Sequence, residues 1–105
     1  MYRRTNAKEE LLIVFKDYNL SSVDVIAFNF RRLLNYKLVT KGTILTNEEL
    51  DKLDFNYDRG YGCQELFGEV LFNDGTWLSR GEYDGSEWWE YNIAPTVEEV
   101  LEDKI

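Results

Sequence analysis

Twenty carboxylates and no histidine set the chemistry available to this 105-residue chain. Without histidine, Ser-His-Asp and Cys-His catalysis, His-ligated metal and an ordinary histidine pH switch are excluded. The single cysteine, Cys63, excludes an intrachain disulfide and a cysteine-built zinc site, and no base partner marks it as a nucleophile. Two carboxylate arrangements remain. Asp54, Asn56, Asp58 and Glu65 have the spacing of positions 1, 3, 5 and 12 of an EF-hand calcium loop. Position 6 of that loop needs glycine for its sharp turn but is Arg59 here, and the segment after Glu65 reads as strand. Turn formation is the expected role of these residues, and no metal or other cofactor is expected. Paired acids ~5–10 Å apart could also hydrolyse a glycosidic bond. With sixteen acids in residues 46–105 some pair reaches that distance by chance, and the chain is short for an enclosing cleft, so no enzymatic activity is assigned.

The elements that must position these residues follow from composition and pattern. At 44% apolar and 30% charged residues the chain reads as one globular domain, residues 1–105, with 96–105 a short C-terminal helix or tail after Pro95. No run approaches the ~18 apolar residues of a membrane span, and Met1-Tyr2-Arg3-Arg4 leads into a charged segment rather than a signal peptide. Net charge is -8, unevenly spread. Residues 1–45 carry eight basic and four acidic side chains; residues 46–105 carry four basic and sixteen acidic ones. That balance argues against direct nucleic-acid binding, which needs clustered Lys and Arg. It suits a basic protein partner, or a solvated acidic surface.

Asn6 and Glu9 have capping-box spacing, and Ala7, Leu11, Val14, Phe15 and Tyr18 recur with helical period. Leu12 and Ile13 widen that apolar face, so much of this helix is expected to be covered. Val23–Phe30 reads as strand, with Ile26, Phe28 and Phe30 on one side, and a turn near Leu34-Asn35 leads to a partner strand over Tyr36–Thr40. Thr46 and Glu49 cap a short helix over Asn47–Asp54, with Leu45 and Leu50 at staple spacing. Asp74-Gly75 and Asp84-Gly85 then mark two hairpins. Thr96 and Glu99 cap a last segment, with Val97, Val100 and Leu101 as a small apolar stripe. The expected fold is α+β: an antiparallel sheet of about five strands, ending in a three-stranded meander, packed on one face by helices.

Two-residue turns would set the meander's register. Phe72 then faces Trp77 and Glu69 faces Arg80; across the second turn Arg80 faces Trp89 and Gly81 faces Trp88, whose ring can cover the bare glycine. Glu82 opposite Glu87 is a like-charge conflict that points to a longer second loop. In this register Leu66, Val70, Phe72, Trp77, Tyr83 and Trp88 form the core face. The other face carries Phe67, Glu69, Leu71, Leu78, Arg80, Glu82, Glu87, Trp89 and Tyr91. Glu69, Arg80, Glu82, Glu87, Trp89 and Tyr91 thereby become the candidate partner-binding residues, an aromatic and charged set of hot-spot composition. The alternative is an ordinary back face covered by the N-terminal hairpin or the tail.

Residues 54–95, above all Tyr61-Gly62-Cys63-Gln64-Glu65-Leu66-Phe67-Gly68 and Asp74-Gly75-Thr76-Trp77 through Glu82–Glu90, resemble small uncharacterised proteins of tailed phages and prophages. The resemblance brings no known activity and no functional residue; residues 1–45 carry none. It implies a small soluble protein in the cytoplasm of an infected bacterium that binds and disables a host protein, a defence protein being one class of target. The expectation is therefore a non-enzymatic acidic interaction protein, with no membrane role and an open oligomeric state. The alternative is a small-ligand or carbohydrate-binding module using Trp89, Tyr91 and Arg80.

Overall fold

The computed structural model describes residues 4–33, 37–60 and 63–102. Strand β1 (Arg4–Asn6) runs into helix α1 (Ala7–Asp17), and a single 3₁₀ turn (Ser22–Asp24) leads to β2 (Val25–Arg32). Strand β3 (Lys37–Gly42), helix α2 (Asn47–Asp51) and β4 (Asn56–Asp58) follow, then β5 (Leu66–Phe72), β6 (Trp77–Tyr83), β7 (Ser86–Asn92) and helix α3 (Val97–Leu101). The architecture is α+β. Five antiparallel strands form one sheet in the order β3-β2-β5-β6-β7, and β1 pairs with β4 in a separate two-stranded ribbon.

The helices start where short polar side chains replace missing backbone partners. Asn6 Oδ1, Thr46 Oγ1 and Thr96 Oγ1 each accept from the backbone N–H three residues on, and at Thr96 the reciprocal Glu99 bond completes a capping box. Such caps contribute about 1 kcal/mol each. Leu45 and Leu50 are both buried, as staple spacing requires. Helix α1 buries Ala7, Leu11 and Phe15, but Leu12 and Ile13 stand 40% and 58% exposed, so the covered face is narrower than the pattern suggests. Glu10 takes the place expected of an apolar residue: it is 8% exposed. Helix α3 buries nothing and holds Val97, Val100 and Leu101 in solvent.

One core lies between the sheet and these elements. Ala7, Leu11 and Phe15 of α1, Leu50 of α2 with Leu53, and Tyr57 of β4 meet Phe28, Phe30, Leu66, Val70, Phe72, Leu78 and Trp89 of the sheet. Phe15 meets Phe72 edge-on at 5.8 Å, and Phe30 meets Trp89 at 5.9 Å. Burying each such side chain stabilises the fold by roughly 1.5–3 kcal/mol.

Pairing within the sheet departs from the expected register in two places. A bulge between Val25 and Ala27 resets the alternation of β2. Val25, Phe28 and Phe30 point to the core and Ile26 is turned out, 47% exposed, because the extra residue of a bulge shifts the pleat by one. The turn between Leu34 and Asn35 lies outside the described residues. At the first Asp-Gly, only Gly75 has positive φ (+88°). Its N–H donates to the Phe72 carbonyl, and the Phe72 N–H donates to the Thr76 carbonyl. Asn73-Asp74-Gly75 is thus a three-residue loop with glycine last, not a two-residue type I′ turn. Leu71 pairs with Trp77, and Glu69 pairs with Ser79 rather than Arg80. The second Asp-Gly is the two-residue turn, with φ +53° at Asp84 and +88° at Gly85. Arg80 pairs with Trp89, Gly81 with Trp88 and Glu82 with Glu87. The like charges do not lengthen the loop, because Glu82 turns its carboxylate to the Gly85 N–H and Glu87 turns inward.

The slip of one residue exchanges faces for β6 and β7 against β5. Phe72 and Trp77 stand on opposite sides of the sheet. Leu78, Arg80, Glu87, Trp89 and Tyr91 join Leu66, Val70 and Phe72 on the covered face, while Trp77, Tyr83, Trp88 and Glu90 face out.

Candidate functional site

Two places in this fold concentrate chemistry: an ion network under the sheet, and the sheet face opposite to it.

The network is built on the β6–β7 hairpin. Its register sets Arg80 beside Trp89 and diagonal to Glu87, all pointing inward. The Arg80 side chain is 2% exposed and that of Glu87 0%. Arg80 donates to Glu87 Oε1 at 2.6 Å and to the Tyr57 hydroxyl at 2.9 Å, and its Nε donates to the Leu66 carbonyl at 3.3 Å. Its guanidinium lies 4.9 Å from the Trp89 ring centre, a cation–π contact in a desolvated place. Glu87 also accepts from the backbone N–H groups of Glu65 (2.6 Å) and Leu66 (3.0 Å). From α1, Glu10 accepts from the Tyr57 hydroxyl and sits 3.5 Å from both Arg80 and Arg59. Two arginines thus meet two carboxylates, and the cluster is electrically balanced. Charge balance, with the Arg80–Glu87 contact and the backbone donors to Glu87, is what makes such burial tolerable, although Arg80 Nη1 and Arg59 Nε have ion-pair neighbours and no hydrogen bond among the described residues. Burial pushes the Tyr57 hydroxyl far above its ordinary value; Arg80 pulls the other way and Glu10 adds to the rise, so it stays a neutral donor. The arrangement clamps α1, β4 and the β5 start onto the hairpin.

Beside the network, a cleft of about 460 Å³ runs between α1 and the β7 edge. Glu10, Arg59, Trp88 and Trp89 line it, with Arg4 and Ile13 at its rim. The β7 edge is itself partly covered, since the Arg59 backbone carbonyl accepts from the Glu87 N–H and Gly60 bridges Ser86.

The opposite face of the sheet is uncovered among the described residues. Ile26 (47%), Leu71 (38%), Tyr83 (77%) and Trp88 (36%) are exposed there, with Trp77 half-buried among them. Trp88 lies over Gly81: a Cβ at that glycine would sit 2.5 Å from the indole nitrogen, so only glycine admits the ring. Arg31 reaches Glu69 at 3.0 Å across the face. A shallow groove of about 270 Å³ lies between Ala27, Asn29, Arg31, Glu69 and Leu71. In it Asn29 Oδ1 and Arg31 Nε have no hydrogen-bond partner among the described residues.

The six residues expected to form a partner surface are therefore divided. Arg80, Glu87 and Trp89 are core residues, because the N-terminal helix and ribbon cover their face. Tyr91 is half-buried and stacks on Tyr18 at 4.8 Å. Glu82 is exposed at the hairpin tip, and Glu69 stands on the outer face with Arg31 in place of Arg80. A carbohydrate platform of Trp89, Tyr91 and Arg80 loses its exposed ring and its free cation by the same burial. The EF-hand residues fall on β4 and its flanks. Asp54 accepts from Asn6 at 2.8 Å, Asn56 accepts from the same amide at 3.3 Å, Asp58 lies 4.0 Å from Arg4, and Glu65 sits at a different cleft. Among the described residues no group of three or more Asp, Glu or Cys is placed to hold a metal ion. Cys63 is exposed.

Glu10, Tyr57 and Arg59 were not legible as partners of Arg80. Position 10 does fall between Ala7 and Val14 on the apolar stripe, which is the one local sign of its burial. No helix among the described residues is long and apolar enough to cross a membrane. No protein-family model, curated protein or solved structure matches this chain.

Proposed function

We propose that this chain is a non-enzymatic interaction protein, phage-encoded, that binds and disables a host protein through the outer face of its five-stranded sheet. The observation that carries this reading is the uncovered row of Ile26, Leu71, Trp77 and Trp88 with the Arg31–Glu69 pair set among them. Aromatic rings and an arginine at the centre of a flat apolar patch are the usual anchors of protein interfaces. Five strands of about seven residues span roughly 20 by 20 Å in projection. That is about half of the ~800 Å² per partner in a standard interface. The acidic rim of Glu82, Asp84 and Glu90 on the adjoining hairpin extends it and favours a partner with basic residues around its contact patch.

Affinity capture from host-bacterial lysate, with bound proteins identified by mass spectrometry, tests this. Wild type and the α1 variant Ile13→Asp should retain one common protein, and Leu71→Asp should lose it, with all three folded by circular dichroism. Capture that survives Leu71→Asp, or that Ile13→Asp abolishes equally, would overturn the assignment of the face.

A further inference from the structure

A third concavity, of about 580 Å³, opens at the β2–β3 end of the sheet beside α2. Its walls are apolar and aromatic: Leu33, Leu38, Val39 and Phe55. Three cations, Arg32, Lys37 and Lys52, surround them, with Glu65 the one carboxylate among the described lining residues. Arg32 ends β2 on the inner side and its guanidinium lies 4.1 Å from the centre of the Phe55 ring. Stacked in this way it keeps its in-plane N–H groups available to an incoming acceptor. Lys52 is 3.3 Å from Glu49. Among the described residues neither Arg32 nor Lys37 has a carboxylate in ion-pair contact.

This grouping runs against the charge of the chain. In a chain with twelve basic residues against twenty acidic ones, three cations converge on one cleft against Glu65 in its lining and Glu49 paired to Lys52, a local excess of one positive charge. At physiological ionic strength charges more than ~8 Å away are largely screened, so the local cations set the sign of the cleft. Its volume lies within the ~300–1,000 Å³ typical of small-molecule sites. A hydrocarbon would leave the cations unused. A bare inorganic anion would leave the apolar walls wet.

We propose that this cleft binds a nucleoside monophosphate. The flat base packs on the apolar wall beside the Phe55–Arg32 stack, the phosphate takes Lys37 and Lys52, and a sugar hydroxyl donates to Glu65. Charge-assisted bonds to phosphate and stacking on a guanidinium are the interactions that these side chains supply best. The site is separate from the outer sheet face and stands or falls without it.

The test is a ¹H–¹⁵N titration of the full chain with adenosine 5′-monophosphate, adenosine, inorganic phosphate and a Glu-rich peptide. The nucleotide should shift the amides of Val39, Lys52, Phe55 and Glu65 saturably, with adenosine and phosphate each at least about tenfold weaker. Lys37→Gln, at an exposed strand position, should weaken nucleotide binding without disturbing the remaining spectrum. Arg32→Gln should weaken it by about tenfold or more, and Phe55→Leu should weaken the nucleotide while leaving any phosphate response unchanged. No saturable shift at millimolar nucleotide overturns the proposal. So does equal affinity for phosphate alone or for the peptide, or shifts that map to another part of the fold.

Discussion

Removing the Glu87 carboxylate isolates the buried network. In Glu87→Ala the Arg80 guanidinium, 2% exposed, loses its 2.6 Å carboxylate and keeps Glu10, at 3.5 Å, as the one carboxylate near it among the described residues, beside its neutral partners Tyr57 and the Leu66 carbonyl. The backbone N–H groups of Glu65 and Leu66 lose their acceptor in the same step. Breaking a buried ion pair from one side costs about 3–5 kcal/mol, and each buried donor left unsatisfied costs about 1–3 kcal/mol more when water cannot reach it. These effects overlap, so a loss of about 4 kcal/mol or more is expected. A domain of this size has about 5–15 kcal/mol in all, and the substitution would remove a large share of it. The exposed pair on the other face supplies the contrast. Arg31 and Glu69 are 36% and 58% exposed, and Glu69→Ala should cost no more than about 1 kcal/mol. Urea unfolding followed by tryptophan fluorescence measures both. The double variant Arg80→Met/Glu87→Leu should recover most of the loss, because a well-packed apolar pair often replaces a buried ion pair without penalty. A loss below about 1 kcal/mol in Glu87→Ala, or a double variant less stable than the single one, would refute the reasoning that Glu87 neutralises a buried charge.

Trp89→Ala should destabilise the fold by about 3–5 kcal/mol, since its ring fills the space between Phe30 and Arg80, whereas the outward Trp77→Ala should cost clearly less; equal losses in thermal unfolding would contradict the face assignment. Thr76 donates to Asp74 from its hydroxyl (2.6 Å) and its N–H (2.9 Å), and these bonds hold the Asp74 carboxyl below its ordinary value of 3.8. Because the folded value is the lower one, the turn is stabilised above pH 3.8 and that contribution is lost as pH falls through the folded value. A carboxyl-carbon NMR titration should place Asp74 below 3.8, with Thr76→Val moving it back up; a wild-type midpoint at or above 3.8 would contradict the bond.

Local chemistry alone determined much of this protein. Asn6, Thr46 and Thr96 start helices because a short side-chain oxygen three residues before a free N–H has one good use. Asp84-Gly85 makes a type I′ turn because both residues tolerate positive φ, and from that turn the pairing of Arg80 with Trp89 follows by counting. The α+β architecture and the antiparallel sheet were legible in the same way. What the chain's letters left undecided was the side of the sheet. The same Asp-Gly pair occurs at Asp74-Gly75, yet there Thr76 bonds Asp74 and the loop takes in Asn73. A single residue of slip carries every side chain to the other face, since the strand period is two, so that loop decided whether Arg80 and Trp89 met solvent or core. The burial of Arg80 and Glu87 depends in turn on Glu10 and Tyr57. Those two are 47 residues apart in sequence and meet only when α1 and β4 close over the hairpin. Periodicity reports the apolar stripe of one element at a time. It does not report a polar cluster whose members each look misplaced until the chain brings their charges together.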